Sequence, residues 1–114
     1  MTALKNLTPA KAQAFAAVFA ALGDETRLSI VARLADGRPQ SISTLTANTE
    51  LTRQAVSRHL RVLEDIGLVQ SKRSGRETLF EIDLRPFKDM NDYMNFVSSK
   101  WDQALGRLKS FVEQ

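Results

Sequence analysis

TRQAVSRHLRVLED, Thr52–Asp65, sets three arginines and the chain's single histidine among Val56, Leu60, Val62 and Leu63. Counted at 100° per residue from Val56, Leu60 falls at about 40°, Leu63 at about 340° and Ile66 at about 280°. These positions make one apolar arc for a helix to turn toward a core. Gln54, Ser57, Arg58 and Arg61 fall between about 100° and 200°, on the opposite face. A charged face of this kind is often only a solvated surface, so its meaning depends on the segments beside it.

Upstream, SISTLTANTELT (41–52) contains Ser43, which suits the N-cap of a short helix carrying Leu45. Thr49-Glu50-Leu51 then makes a tight connection, and Thr52 caps the basic helix. Two helices so joined, the second basic and amphipathic, form a helix-turn-helix pattern. Downstream, Gly67 stops the helix, and LVQSKRSGRETLFEID (68–83) changes rhythm, with Thr78, Phe80 and Ile82 alternating along its second arm. Ser74-Gly75 joins the two arms, glycine supplying the positive φ of a hairpin turn. A basic-tipped hairpin directly after a helix-turn-helix predicts a winged helix, its helix in the major groove and its hairpin along phosphates or the minor groove.

Further out, Pro9–Leu22 reads as a helix with Phe15, Val18, Phe19 and Leu22 on one face, ended by Gly23. Asp24 caps a second helix, where Leu28, Val31, Leu34 and Ala35 share a side and Gly37 and Pro39 stop it. After Pro86, the residues Phe87, Met90, Met94, Val97, Trp101, Ala104, Leu108 and Phe111 recur at alternating spacings of three and four, with Gly106 the one weak point. A helix of about 28 residues is about 40 Å long, too long for so small a domain to cover. Part of its seam therefore faces another chain. The expected dimer interface is Phe15, Phe19, Met94, Val97, Trp101, Leu105 and Leu108. Trp101 reads as an interface or core anchor before a ligand stacker, since buried aromatics carry much of interface energy.

Composition narrows the function. Hydrophobic content of 43% and charged content of 25% suit a globular protein, and no apolar run approaches the roughly 18–20 residues of a membrane span. No membrane partner is expected. In MTALKNLTPAKAQAFAAVFAALG, Lys11 and Gln13 interrupt the apolar residues at helical spacing, so this segment reads as helix and not as a leader. The absence of cysteine rules out disulfides, thiolate metal sites and thiol catalysis, and fits a cytoplasmic protein. Of the net charge of +3, residues 52–76 carry +4 and the rest of the chain −1. Basic charge so concentrated is the footprint of a nucleic-acid surface.

The candidate base readers are Gln54 for adenine, Arg58 and Arg61 for guanine, and Ser57 for a base edge or a phosphate. Thr52, at the cap, is placed for a phosphate. Lys72, Arg73 and Arg76 belong at the wing tip as phosphate contacts, with plain surface charge as the alternative. His59, at about 300°, lies on the shoulder of the apolar arc and reads first as a packed side chain, then as a phosphate contact. One histidine without cysteine is too little for a zinc site. No nucleophile and base pair is present, so an enzyme is the weakest reading.

GDETRLSIVARL together with TRQAVSRHLRVLEDIGLVQSKRSGRETLFEID resembles the arsenic-repressor-like (ArsR/SmtB) winged-helix family over about residues 15–84. The resemblance implies a homodimeric repressor, joined through its first and last helices, on double-stranded DNA bearing an imperfect inverted repeat. It also implies that DNA contacts fall on Thr52, Gln54, Ser57, Arg58 and Arg61. Metal-sensing members carry paired cysteines ahead of the recognition helix, where this chain has Ser41 and Ser43. Others use histidines on the last helix, where this chain has Asp89, Asp92, Asp102 and Glu113 alone. Both departures, and a tryptophan in the last helix, resemble a metal-independent branch whose members often repress their own operons. No cofactor is expected, and the pattern names neither operator nor effector.

The expected fold is mostly α with one β-hairpin: a single winged helix-turn-helix domain over 1–114. Its helix-turn-helix spans about 43–66, its wing about 68–83, and its C-terminal dimerisation helix about 86–112. The rival from another class is a protein-interaction module that uses the long seam and leaves the basic helix solvated.

Overall fold

The computed structural model describes residues 7–113; residues 1–6 and 114, part of the expected single domain, lie outside that span. Thr8 caps the first helix, its hydroxyl accepting the Lys11 N–H at 3.2 Å, and Pro9 fits the first turn, where its missing N–H costs nothing. Helix α1 runs Pro9–Leu22. Asp24 caps α2, Glu25–Leu34, by accepting the Arg27 N–H at 2.9 Å. A two-residue strand β1, Gln40–Ser41, leads into the short helix α3, Ile42–Thr46. The basic helix α4 spans Arg53–Asp65, followed by β2, Val69–Ser74, β3, Glu77–Ile82, and the long helix α5, Leu84–Val112.

The core forms where the apolar arc of α4 meets its neighbours. Val56, Leu60 and Leu63 are buried with Ile30 and Leu34 of α2, Leu45 of α3, and Leu68 and Val69 at the start of the wing. Gly67 ends α4 at φ 82°: its N–H bonds the Glu64 carbonyl at 3.0 Å, and the Leu68 N–H reaches back to the Leu63 carbonyl at 2.9 Å. That left-handed closure delivers Leu68 straight back into the core.

Several expectations shift. The cap of α3 is Ser41, whose hydroxyl accepts the Thr44 N–H at 3.1 Å, and not Ser43, which lies inside the helix. The connection to α4 is longer than three residues and holds Asn48 at φ 62°. Ser74 pairs with Glu77, so the hairpin loop is Gly75-Arg76 and not Ser74-Gly75. Gly75, at φ 62°, takes the position where a type II′ turn needs a positive φ. The sheet has three strands in the order β1-β3-β2, all antiparallel, because Gln40 and Ser41 pair with Phe80 and Leu79. In α2 it is Ile30 that turns inward while Leu28 stays exposed.

Helix α5 begins before Pro86. Asp83 caps it by accepting the Arg85 N–H at 3.0 Å, and Pro86 lies in the first turn, whose N–H groups have no intrahelical acceptor to lose. Near this end Met90 is buried, and Tyr93 meets Phe15 and Phe19 of α1 with ring centroids 5.5 and 6.5 Å away. Farther along, the helix runs clear of the domain. The described chain is 66 Å long with a radius of gyration of 18.3 Å, against about 13 Å for a compact chain of this length.

Candidate nucleic-acid interface

Thr52 sets the start of the site. Its hydroxyl accepts the Ala55 N–H at 3.0 Å, which fixes the direction of α4 and leaves the hydroxyl proton free to donate. Gln54 and Arg58 are exposed and Ser57 half-buried; together they line an open groove of about 450 Å³ against Ile42 of α3. Arg61 is exposed one turn beyond. The structure thus keeps Gln54, Ser57 and Arg58 in one concavity and carries the same face on through Arg61.

The wing contributes unevenly. Arg73 is exposed on β2, and Arg76 sits in the hairpin loop. Lys72 instead holds an ion pair with Glu81 of β3 at 3.6 Å, so part of its charge is spent across the strands. Arg76 joins a residue that the sequence reading passed over. Arg53 shares with it a second, smaller cleft of about 240 Å³, and Arg53 also lines the α3–α4 groove. On the helical count Arg53 lies at about 60°, outside the arc taken as the exposed face. Its importance comes from Ser43, whose oxygen accepts the Arg53 Nη1 hydrogen at 2.5 Å, a pairing no local pattern announces.

His59 leans away from this face. Its Nδ1 lies 3.3 Å from Arg27 Nη1 and 3.9 Å from Asp24 Oδ1. Arg27 in turn donates its Nε hydrogen to the Ala21 carbonyl at 2.7 Å. The Arg27 N–H, and then the Arg27 charge, hold the Asp24 carboxyl below its ordinary range. This cluster ties α4 to the start of α2. Among the described residues no group of three or more His, Cys, Asp or Glu could hold a metal ion. Among the described residues, no helix is long and apolar enough to cross a membrane.

The residues expected at a dimer interface divide in two. Phe15 and Val97 are half-buried, whereas Phe19, Met94, Trp101, Leu105 and Leu108 are exposed, Trp101 at 65%. Phe111 is 75% exposed on the same helix.

Comparison with known proteins bears on this arrangement. Residues 22–71 match the helix-turn-helix domain family. The HTH-type transcriptional regulator YuzN of Bacillus subtilis is 39% identical over 80 residues, covering 65% of this chain and 87% of its own length. A solved ArsR-like transcriptional regulator from Rhodococcus sp. RHA1 is 34% identical, covers 93% of this chain and 96% of its own, and superposes with a TM-score of 0.76. Mb0332 of Mycobacterium bovis, described as a homodimeric winged helix-turn-helix DNA-binding domain, is 25% identical over 88% of this chain and 89% of its own, with a TM-score of 0.63. With identity above 30% along nearly the whole of both chains and the same fold, this chain belongs to the ArsR-like family of winged-helix transcriptional regulators.

Proposed function

We propose that this DNA-binding regulator is a cytoplasmic homodimeric repressor that binds an imperfect inverted repeat, including one upstream of its own coding sequence. The observation that carries the reading is the exposed polar face of α4, continuous through Arg53 with a basic wing. Gln54, Ser57, Arg58 and Arg61 read base edges or adjacent phosphates in the major groove. Thr52, Arg73 and Arg76 fasten the backbone, with Lys72 a weaker contributor while Glu81 holds it. His59 acts through Arg27 and Asp24 to orient α4, the packed role, which its turn away from the exposed face favours over a phosphate contact.

Dimerisation is supported by the uncovered apolar length of α5 and by the homodimeric state described for Mb0332. Phe15, Phe19, Met94, Val97, Trp101, Leu105 and Leu108 would close against a second copy. A two-fold axis there sets two α4 helices about one DNA turn, roughly 34–36 Å, apart, one per half-site.

Footprinting on the upstream DNA, followed by titration of the protected duplex, tests the proposal. The double variant Arg58→Ala, Arg61→Ala should stay folded and dimeric while specific affinity falls at least about 10-fold at fixed salt, given about 1–3 kcal/mol for each good base contact. Unchanged affinity would remove both arginines from the interface. Wild-type protein with no salt-dependent DNA binding would favour the interaction-module alternative.

A further inference from the structure

We infer that Arg53, pre-positioned by Ser43, is the backbone clamp at which the DNA strand crosses from the major-groove face of α4 to the wing. The inference rests on the DNA-binding reading and adds to it a contact and a positioning residue.

Ile42 and Arg53 line both polar concavities on this face, and of the two only Arg53 carries a charge. On one side it lines the groove with Gln54, Ser57 and Arg58; on the other it lines the cleft with Arg76, Thr78 and Glu77. When a helix occupies the major groove and a hairpin lies at the adjoining minor groove, the phosphates between the grooves must pass over the ridge dividing the two concavities. Arg53 is the charged group on that ridge, beside Ile42.

The chemistry of the ridge suits a phosphate. Two guanidiniums face one carboxylate, Glu77, leaving the cleft net positive. Arg53 gives one N–H to the Ser43 oxygen and keeps the other hydrogens of its planar fork for a phosphate oxygen. The Ser43 hydroxyl, an acceptor toward Arg53, still has its own proton to donate, and Thr78 offers a second hydroxyl at the cleft wall. Holding the arginine in place beforehand reduces the side-chain entropy lost when DNA binds. Ser43 therefore acts through Arg53, as a positioning residue.

A phosphate contact and a base contact leave different signatures. A phosphate contact weakens binding to every sequence equally and removes about 0.9 from the slope of log affinity against log salt; a base contact weakens one sequence selectively. The probes are a fluorescein-labelled 30-bp duplex of mixed sequence and the footprinted duplex, each titrated by anisotropy over a range of NaCl concentrations. Arg53→Ala is expected to lower affinity for both by the same factor, about 3–10-fold near 0.1 M salt, and to reduce the slope by about 0.9. Arg53→Lys should restore most of the slope. Ser43→Ala should give a smaller loss, and no added loss when Arg53 is already alanine.

Circular dichroism and melting check each variant, with Arg53→Gln as the second substitution if alanine lowers the melting midpoint. An unchanged slope in Arg53→Ala, or a loss confined to the footprinted sequence, overturns the clamp. Additive losses from Ser43 and Arg53 overturn the positioning role. Wild-type protein that binds neither duplex overturns the regulator reading beneath both, an outcome distinct from a wild type that binds with Arg53 silent.

Discussion

Helices α4 and α5 carry the same kind of apolar stripe and meet different fates. Along α4, Val56 and Leu63 are 0% exposed, whereas along α5 Trp101 is 65% and Phe111 75% exposed. Periodicity says only that a helix has a face to bury; whether the same chain buries it depends on what the fold places opposite. Thirteen residues of α4 lie among α2, α3 and the wing, but α5 has twenty-nine residues and one short region of contact. The first stripe holds the domain together. The second stays exposed, and it is the stripe that the proposed dimer would cover.

The contrast can be broken by cutting each stripe in turn. Leu63→Ala has the largest expected effect, about 2–5 kcal/mol off unfolding free energy, because the small side chain leaves a cavity in close-packed surroundings. Chemical denaturation measures it, and a loss well under 1 kcal/mol would mean that the α4 stripe is not the core. Trp101→Asp should leave the winged-helix domain folded and weaken self-association at least about 30-fold, the scale of an aromatic anchor worth about 2 kcal/mol. Sedimentation across a concentration series reads this directly. If the variant unfolds as Leu63→Ala does, or associates like wild type, the two stripes are not divided as described.

The smallest effect sits where the two regions join. The Arg85 side chain, then its backbone N–H and Gln70, hold the Asp83 carboxyl far below its usual range. Asp83 bonds Arg85 Nη2 at 2.6 Å and Gln70 Nε2 at 2.8 Å, tying the wing to the first turn of α5. A carboxyl whose folded pKa is depressed stabilises the fold above its unfolded value, about 3.9, and loses that stabilisation as pH falls through the folded value. Asp83→Asn keeps a capping oxygen and removes the charge. Its melting midpoint should lie slightly below wild type at about pH 7 and converge with it in strong acid. Parallel pH curves would show that the charge contributes nothing.

Local features were the legible ones. Thr52, Asp24, Gly67 and Gly75 act on backbone within five residues, so their roles can be read from order alone. The exposed face of α4 was legible in Gln54, Arg58 and Arg61 because helical geometry is nearly fixed. The short edge strand β1 was missed because two residues carry no period, and its pairing partner lies about forty residues away. Leu28 was misjudged for a related reason: the helical count finds the stripe, but the packing angle of α2 decides which edge of it faces inward. Arg53 escaped notice because its partner Ser43 belongs to another helix.

By itself, the sequence determined the helices, the hairpin, the separation of α4 into a buried and a polar face, and a basic charge confined to one region, since each follows from nearest-neighbour geometry and side-chain chemistry. Tertiary structure alone decided that His59 faces Arg27 and Asp24, that Lys72 is paired with Glu81, and that Arg53 stands on the ridge between two clefts. Those are contacts between segments distant in the chain, and no local rule fixes how such segments meet.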